Sequence, residues 1–436
     1  MGERGFLVIL LPLLAALLLQ FSGHSSAGHL HPLIIVPGAA SSRIDARLTD
    51  AYHSSSACGG ICSASLPAVW FRLWWNKTLV REPLLRCFGD LIQLHYDAAS
   101  DDYRNTAGVE TAAPFFGSVE GFRHRDPDAP EEDWPMATLL QRLEAAGYRD
   151  GVDLFGAPYD FRYGLAAGGH PSPVGSRLLQ DLKGLIERGS AAAGGKPAVV
   201  VAHSMGNLFV LRLLARSSPS WRRRFVKHFI SIAAPWGGAV AEMYTAATGD
   251  VSAGLQPVRL QVGSFESNSW LLPSSKAFGS RPLVVTTRRS YTSADMPEFL
   301  SAAGFPDAAK TYGSRVLPLV EKLPPPGVPV TFVSGTGVAT PELLVYGDGF
   351  AQFPEIVYGD GDGTVNMESL LAAAVEWSGL PEQPLKVVKI ANATHVSVLI
   401  AEETWREITE QVAAVEVPSK RGKTAEDSEQ LSSLSF

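Results

Sequence analysis

Val199-Val200-Val201 is an unbroken apolar run of β-branched residues, and it reads as a buried parallel strand. It stops at Ala202-His203-Ser204-Met205-Gly206, and a mostly apolar helical pattern, Asn207 to Arg216, follows at once. Further apolar runs predict other strands. Leu33–Val36 leads into a turn at Pro37-Gly38, Phe225–Ala233 follows the Asn207–Arg216 helix, and Val328–Ser334 and Leu385–Ile390 come late in the chain. Between two of these strands, residues 236–326 are too long for an ordinary connection and predict an inserted cap. Within it, Phe265–Pro273 and Met296–Phe305 offer aromatic and apolar lining.

A serine at a sharp strand-to-helix turn, with small residues two positions to either side, is the context of a nucleophile elbow. Bulk at either flank would meet neighbouring backbone, and Ala202 and Gly206 supply none. The turn would lift the Ser204 hydroxyl to where a base can reach it. In chains of this kind the acid and then the histidine follow the serine. His203 adjoins the serine, and the elbow turns its side chain elsewhere. After Ser204 only His228 and His395 remain. His228 lies in the Phe225–Ala233 strand candidate and reads as structural. His395 follows the Leu385–Ile390 run and is the expected base. The acid is drawn from Gly-Asp-Gly turns: Asp362 first, then Asp360, then Asp348. A calcium loop at this turn fails on spacing, because Val365 and Leu371 stand where glycine and glutamate are needed. For the oxyanion, the expected donors are the backbone N–H groups of Met205 and Ala39.

These residues resemble the lecithin:cholesterol acyltransferase family. The matching pieces, in order, are Ile35-Val36-Pro37-Gly38, Gly156-Ala157-Pro158-Tyr159-Asp160-Phe161-Arg162, Ala202 through Asn207, Ala234-Pro235-Trp236-Gly237-Gly238, Tyr358–Val365 and Thr394-His395. The resemblance implies an α/β-hydrolase fold: a mostly parallel central sheet with a helical cap and a lid loop closed by a disulfide. It implies acyl transfer from a phospholipid through an acyl-Ser204 intermediate to a sterol or other lipid alcohol, with phospholipase A activity, water taking the acyl group, as the alternative. A non-enzymatic lipid-binding protein on the same scaffold is the third reading. No cofactor and no metal are expected. The chain departs from the family pattern at Ala39 and Ala40, which offer no side-chain help after Pro-Gly, and at Phe161, where tryptophan is common.

Composition fits this reading. The chain of 436 residues can bury a large core, and its net charge of −7 argues against a nucleic-acid partner. Arg4 followed by the apolar run Phe6–Phe21, with small residues to Gly28, predicts a secretory signal over residues 1–27, cleaved near Ala27 or retained as an anchor. That routing, to the exterior, a vacuole or lysosome, or the endoplasmic reticulum lumen, makes Asn76 and Asn392 glycosylation candidates, Asn76 first because a glycan on Asn392, three residues from the expected base, would crowd the active site. It also favours a disulfide among Cys58, Cys62 and Cys87. The resemblance implies Cys62–Cys87, with Cys58–Cys87 as the alternative. Inside that loop Trp70, Phe71, Trp74 and Trp75 share one face at helical spacing and predict a membrane-docking segment. The expected organisation is a core of 28–57 and 96–235, a lid of 58–95, a cap of 236–326, a second core segment of 327–415 and a disordered tail of 416–436. The expected partners are a phospholipid donor at a membrane or lipoprotein-like surface, bound peripherally, and a lipid alcohol acceptor.

Overall fold

A computed structural model describes residues 30–54, 62, 69–129, 134–249 and 255–413. The predicted signal segment, Cys58 and the tail lie outside the described residues. Six strands form the central sheet: β1 (Leu33–Val36), β2 (Leu154–Gly156), β3 (Ala198–His203), β4 (Val226–Ile232), β5 (Val330–Thr336) and β6 (Leu385–Ala391). Their spatial order is β6-β5-β4-β3-β1-β2, and every neighbouring pair is parallel. All six positions of β3 are buried, as a parallel strand covered on both faces requires.

Alternate residues of the strands feed two layers. Ile34, Val36, Val200 and Ala202 pack with apolar residues of the helices Pro173–Ala192 and Gly206–Arg216. Leu33, Ile35, Val199 and Val201 pack with the helices Pro135–Ala145 and Glu402–Val412. Each fully buried branched side chain contributes about 1.5–3 kcal/mol relative to exposure, so the two faces together fix strand register. A parallel sheet sandwiched by helices, with the strand–turn–helix at Ser204 near its centre, is the α/β-hydrolase arrangement.

The inserted region extends beyond its expected boundary. Its short strands Val284–Val285 and Ser290–Tyr291 join Thr340–Val345 and Glu355–Gly359 in a four-stranded sheet, so residues after β5 complete it. Phe265, Trp270, Leu272, Met296 and Phe299 are buried in the same core as the elbow helix.

The lid segment departs from the helical expectation. Phe71–Trp74 is a strand, paired antiparallel with Ile44–Leu48, which pairs in turn with Val109–Ala112. The spacing of Trp70, Phe71, Trp74 and Trp75 fits one helical face, but aromatic residues are equally good strand formers, and pairing with Ile44–Leu48 decides between the two. Trp74, which ends the strand, and Trp75, just after it, are buried, at 7% and 8% exposure, while Trp70 is 43% exposed and Phe71 half-buried. Cys62 is bonded to Cys87, which sits on the helix Leu85–Ile92.

His228 is structural, as its strand context predicted. It is buried in β4 and its Nε2 lies 2.9 Å from Thr331 Oγ1 on β5. Burial, and then the charges of Lys227 and Lys386, push its pKa down to about 4. An unfolded histidine titrates near about 6.5, so below that pH the unfolded chain takes up a proton that the fold refuses. Stability is therefore lost as pH falls from the unfolded value toward the folded one, by about 2 kcal/mol at pH 5 for this residue. Thermal unfolding of His228→Gln should show a shallower loss of Tm between pH 7 and pH 5 than wild type; an identical slope would contradict the assignment.

Candidate active site

Ser204 sits at the turn between β3 and the helix Gly206–Arg216, with a left-handed φ of 51°. A β-carbon on residue 206 would lie 2.5 Å from the Pro37 carbonyl oxygen and 2.7 Å from that of Val36. Glycine is therefore required where the helix crosses the end of β1. The buried Asn207 locks the turn: its Nδ2 donates to the carbonyls of Ser204 (2.8 Å) and Ile232 (3.0 Å). The Ser204 N–H donates to the Ile232 carbonyl at 2.9 Å.

His395 lies just beyond β6, and Asp362 lies in the turn after Glu355–Gly359. The His395 Nδ1–H donates to Asp362 Oδ2 at 2.8 Å, and the Ser204 hydroxyl donates to His395 Nε2 at 2.9 Å. The two loops are also tied through the main chain, because the His395 N–H donates to the Asp362 carbonyl at 2.7 Å. Asp362 is fully buried, and its Oδ1 accepts from the N–H groups of Thr364 (3.0 Å) and Val365 (2.7 Å). Burial pushes this carboxyl up, but the His395 charge, the His395 hydrogen bond and the two amides outweigh it and hold the pKa below its ordinary value. A group so held stays ionised and orients the imidazole with its free nitrogen toward the serine.

The other two candidate acids are engaged elsewhere. Asp360 accepts from Thr336 Oγ1 at 2.9 Å and the Gly337 N–H at 2.6 Å. Asp348 forms an exposed pair with Arg288 at 2.6 Å. The Met205 and Ala39 N–H groups have no acceptor among the described residues, and Ala39 lines the cleft beside Ser204. That cleft, about 80 Å³, is otherwise bounded by Ser41, Trp134, Pro135, Met136, His203, His395, Val396 and Leu399, so its walls are mainly apolar.

His203 has a part that sequence reasoning missed. It lines the same cleft as Ser204, its Nε2–H donates to the His395 carbonyl at 2.8 Å and the two rings lie 5.1 Å apart. Burial, and then the His395 charge, push its pKa down to about 3, so it stays neutral and keeps that donor. Its position as the last residue of β3 was the available signal. Of the two sequons, the Asn76 amide is used within its own turn: Nδ2 donates to the Arg72 carbonyl at 2.8 Å and Oδ1 accepts from the Thr78 N–H at 3.0 Å. Asn392 is exposed, three residues before His395.

The arrangement can generate a serine nucleophile, stabilise the imidazolium that results and offer two N–H groups to an oxyanion. Similarity to known proteins agrees with it. Residues 70–310 match the family model "Lecithin:cholesterol acyltransferase". The chain is 42% identical over 401 residues to the Arabidopsis thaliana "Lecithin-cholesterol acyltransferase-like 1", covering 89% of this chain and 90% of the relative. It is 32% identical over 403 residues to the human "Lysosomal phospholipase A and acyltransferase", covering 90% and 92%. It is 28% identical over 391 residues to the mouse "Phosphatidylcholine-sterol acyltransferase", covering 88% and 85%. With a family model matching more than half of its length and relatives aligned nearly end to end, the chain belongs to the lecithin:cholesterol acyltransferase family.

Proposed function

We propose that the protein is a lipid O-acyltransferase that moves a fatty acyl group from a phospholipid to a lipid alcohol through an acyl-Ser204 ester. The observation that carries the reading is the hydrogen-bonded series from Ser204 through His395 to the buried, ionised Asp362. Ser204 Oγ attacks the ester carbonyl of the phospholipid while His395 Nε2 takes its proton. The Met205 and Ala39 N–H groups receive the developing oxyanion. His395 returns the proton to the departing lysophospholipid oxygen. The acceptor alcohol then enters, His395 takes its proton, the alcohol oxygen attacks the acyl-serine carbonyl, and His395 gives the proton to the departing Ser204 Oγ, which releases the new ester and restores the serine hydroxyl.

Water can replace the alcohol in the second half without any change of residue, which is phospholipase A activity. The name of the human relative, "Lysosomal phospholipase A and acyltransferase", joins the two outcomes. Incubation of acyl-labelled phosphatidylcholine vesicles with a sterol, a ceramide or a diacylglycerol separates them. Acyl transfer to at least one acceptor is expected; labelled free fatty acid alone, with every acceptor, would reject the transferase reading.

We further propose peripheral association with a lipid surface through the exposed end of the lid strand. Val69 and Trp70 are 64% and 43% exposed, and the Arg47 guanidinium lies 5.1 Å from the Trp70 ring. An exposed indole, apolar over its face and able to donate at its edge, suits the headgroup boundary of a phospholipid surface, while the Arg47 beside it is paired with Glu110. Among the described residues no helix is long and apolar enough to cross a membrane. The disulfide fits an oxidising compartment, and with it the secretory routing predicted from residues 1–27. The sequence ranks Asn76 first, but its half-buried amide is bonded within its own turn, so in such a compartment the exposed Asn392 is the more accessible sequon. Trp70→Ala should lower vesicle binding about tenfold while leaving hydrolysis of a soluble short-chain ester within about twofold of wild type. Unchanged sedimentation with vesicles would remove Trp70 from the docking surface.

A further inference from the structure

Trp74 is buried, yet packing does not use all of it. Its ring meets Phe161 edge-on at 5.2 Å, Trp75 edge-on at 5.0 Å and Phe88 at 6.1 Å, which fixes the plane of the indole. Its Nε1–H then donates to the Ala40 carbonyl at 2.8 Å. Ala40 belongs to the turn that carries Ala39 past the nucleophile. It holds a left-handed φ of 57°, a conformation that a residue with a β-carbon adopts only when its surroundings impose it.

The turn is held at both ends. On the β1 side the Tyr159 hydroxyl donates to the Pro37 carbonyl at 2.9 Å, and within the turn the Ser41 N–H reaches the Gly38 carbonyl at 3.4 Å. On the far side Trp74 holds Ala40. Between these anchors lies Ala39, whose N–H has no acceptor among the described residues and whose residue lines the cleft beside Ser204. We infer that Trp74 is a positioning residue: through the Ala40 carbonyl it aims the Ala39 N–H at the oxyanion. This rests on the reading of Ala39 as an oxyanion donor in an acyl-serine mechanism. Within the turn the Ser41 hydroxyl donates to the Ala39 carbonyl at 3.3 Å, but the methyl side chains of Ala39 and Ala40 offer no hydrogen bond, and the bond that holds the Ala40 carbonyl comes from the lid strand. The same indole joins the turn to Phe88, the neighbour of the disulfide-bonded Cys87.

Trp74→Phe removes the N–H and keeps an aromatic ring. Losing an oxyanion donor outright costs about 10²–10³ in kcat, so misaiming one should cost about tenfold to a hundredfold. With a soluble short-chain ester, kcat should fall by that factor and KM should stay within about twofold. A trifluoromethyl ketone that adds to Ser204 as a charged tetrahedral adduct should lose affinity by the same factor. Trp75→Phe, whose ring packs in the same shell without a hydrogen bond to the turn among the described residues, should change neither. If Trp74→Phe fails to fold, β-(3-benzothienyl)alanine at position 74 keeps the shape of the indole and lacks only the donor; the same losses are expected. Wild-type kcat and ketone affinity in a folded position-74 variant would overturn the inference, as would a rise in KM with kcat unchanged. Fluorophosphonate labelling of wild-type Ser204 keeps the two readings apart: without it the acyl-serine reading itself fails, and with it only the role of Trp74 is in question.

Discussion

Ser204→Ala should abolish acyl transfer from phospholipid to within about one part in 10⁵ of the wild-type rate, and His395→Ala should do nearly as much damage. The two act as one unit, since the Ser204 hydroxyl gives its proton to His395 Nε2 across 2.9 Å. The double variant should therefore be no worse than either single one. Asp362→Asn should cost about 10⁴, because an amide leaves the imidazole in the wrong tautomer and a developing imidazolium without its counter-charge. Asp360→Asn and Asp348→Asn should stay within about tenfold of wild type, because their carboxylates are bonded to Thr336 and Gly337 and to Arg288. Rates with labelled phosphatidylcholine vesicles, on protein shown to be folded by circular dichroism, test the set. A loss for Asp360→Asn as large as that for Asp362→Asn would move the acid.

Gly38→Ala should be nearly as harmful to the rate, for a steric reason. A β-carbon there would stand 2.7 Å from the Ser204 β-carbon and 3.1 Å from His203 Nδ1. The serine atom is one bond from the main chain, so it cannot swing aside as the end of a long side chain does. Either the elbow or the 37–41 turn must shift. A displacement approaching 1 Å between nucleophile and base costs about 10² in rate, and the overpacking costs about 1–3 kcal/mol of stability. Gly168→Ala, with no neighbouring atom within 4 Å of the new carbon, should change neither. Wild-type kcat/KM in Gly38→Ala would show that the turn does not sit as close to the serine as described.

The elements around Ser204 were legible because their constraints are local. An apolar run, a small-Xaa-Ser-Xaa-small turn and a helical pattern each restrict the chain within a few residues, and β3 and the helix after it form where expected. His395 was reachable because histidines are scarce after the elbow. Asp362 could only be ranked, since each Gly-Asp-Gly is an equally good turn. What separates it from Asp360 is which carboxylate the β5 and β6 loops enclose, and that is a long-range fact. The lid misled for a related reason. Four aromatic residues at helical spacing are too few to exclude a strand, and the pairing of Phe71–Trp74 with Ile44–Leu48 lies more than twenty residues away. That pairing turns Trp74 from an expected lipid contact into a buried hydrogen-bond donor beside the catalytic cleft. His203 was passed over because a residue that cannot be the base can still hold the main chain of the base, and spacing alone does not report this.

During turnover a covalent acyl group should form on Ser204 and pass to a lipid alcohol. Rapid mixing of the protein with vesicles of acyl-labelled phosphatidylcholine, acid quenching and peptide mass spectrometry follow both steps. The expected result is an added acyl mass on the peptide containing Ser204, which decays on addition of a lipid alcohol at the rate at which the acylated alcohol appears. Acyl transfer that proceeds with no label on Ser204, or with the label on another residue, would contradict it.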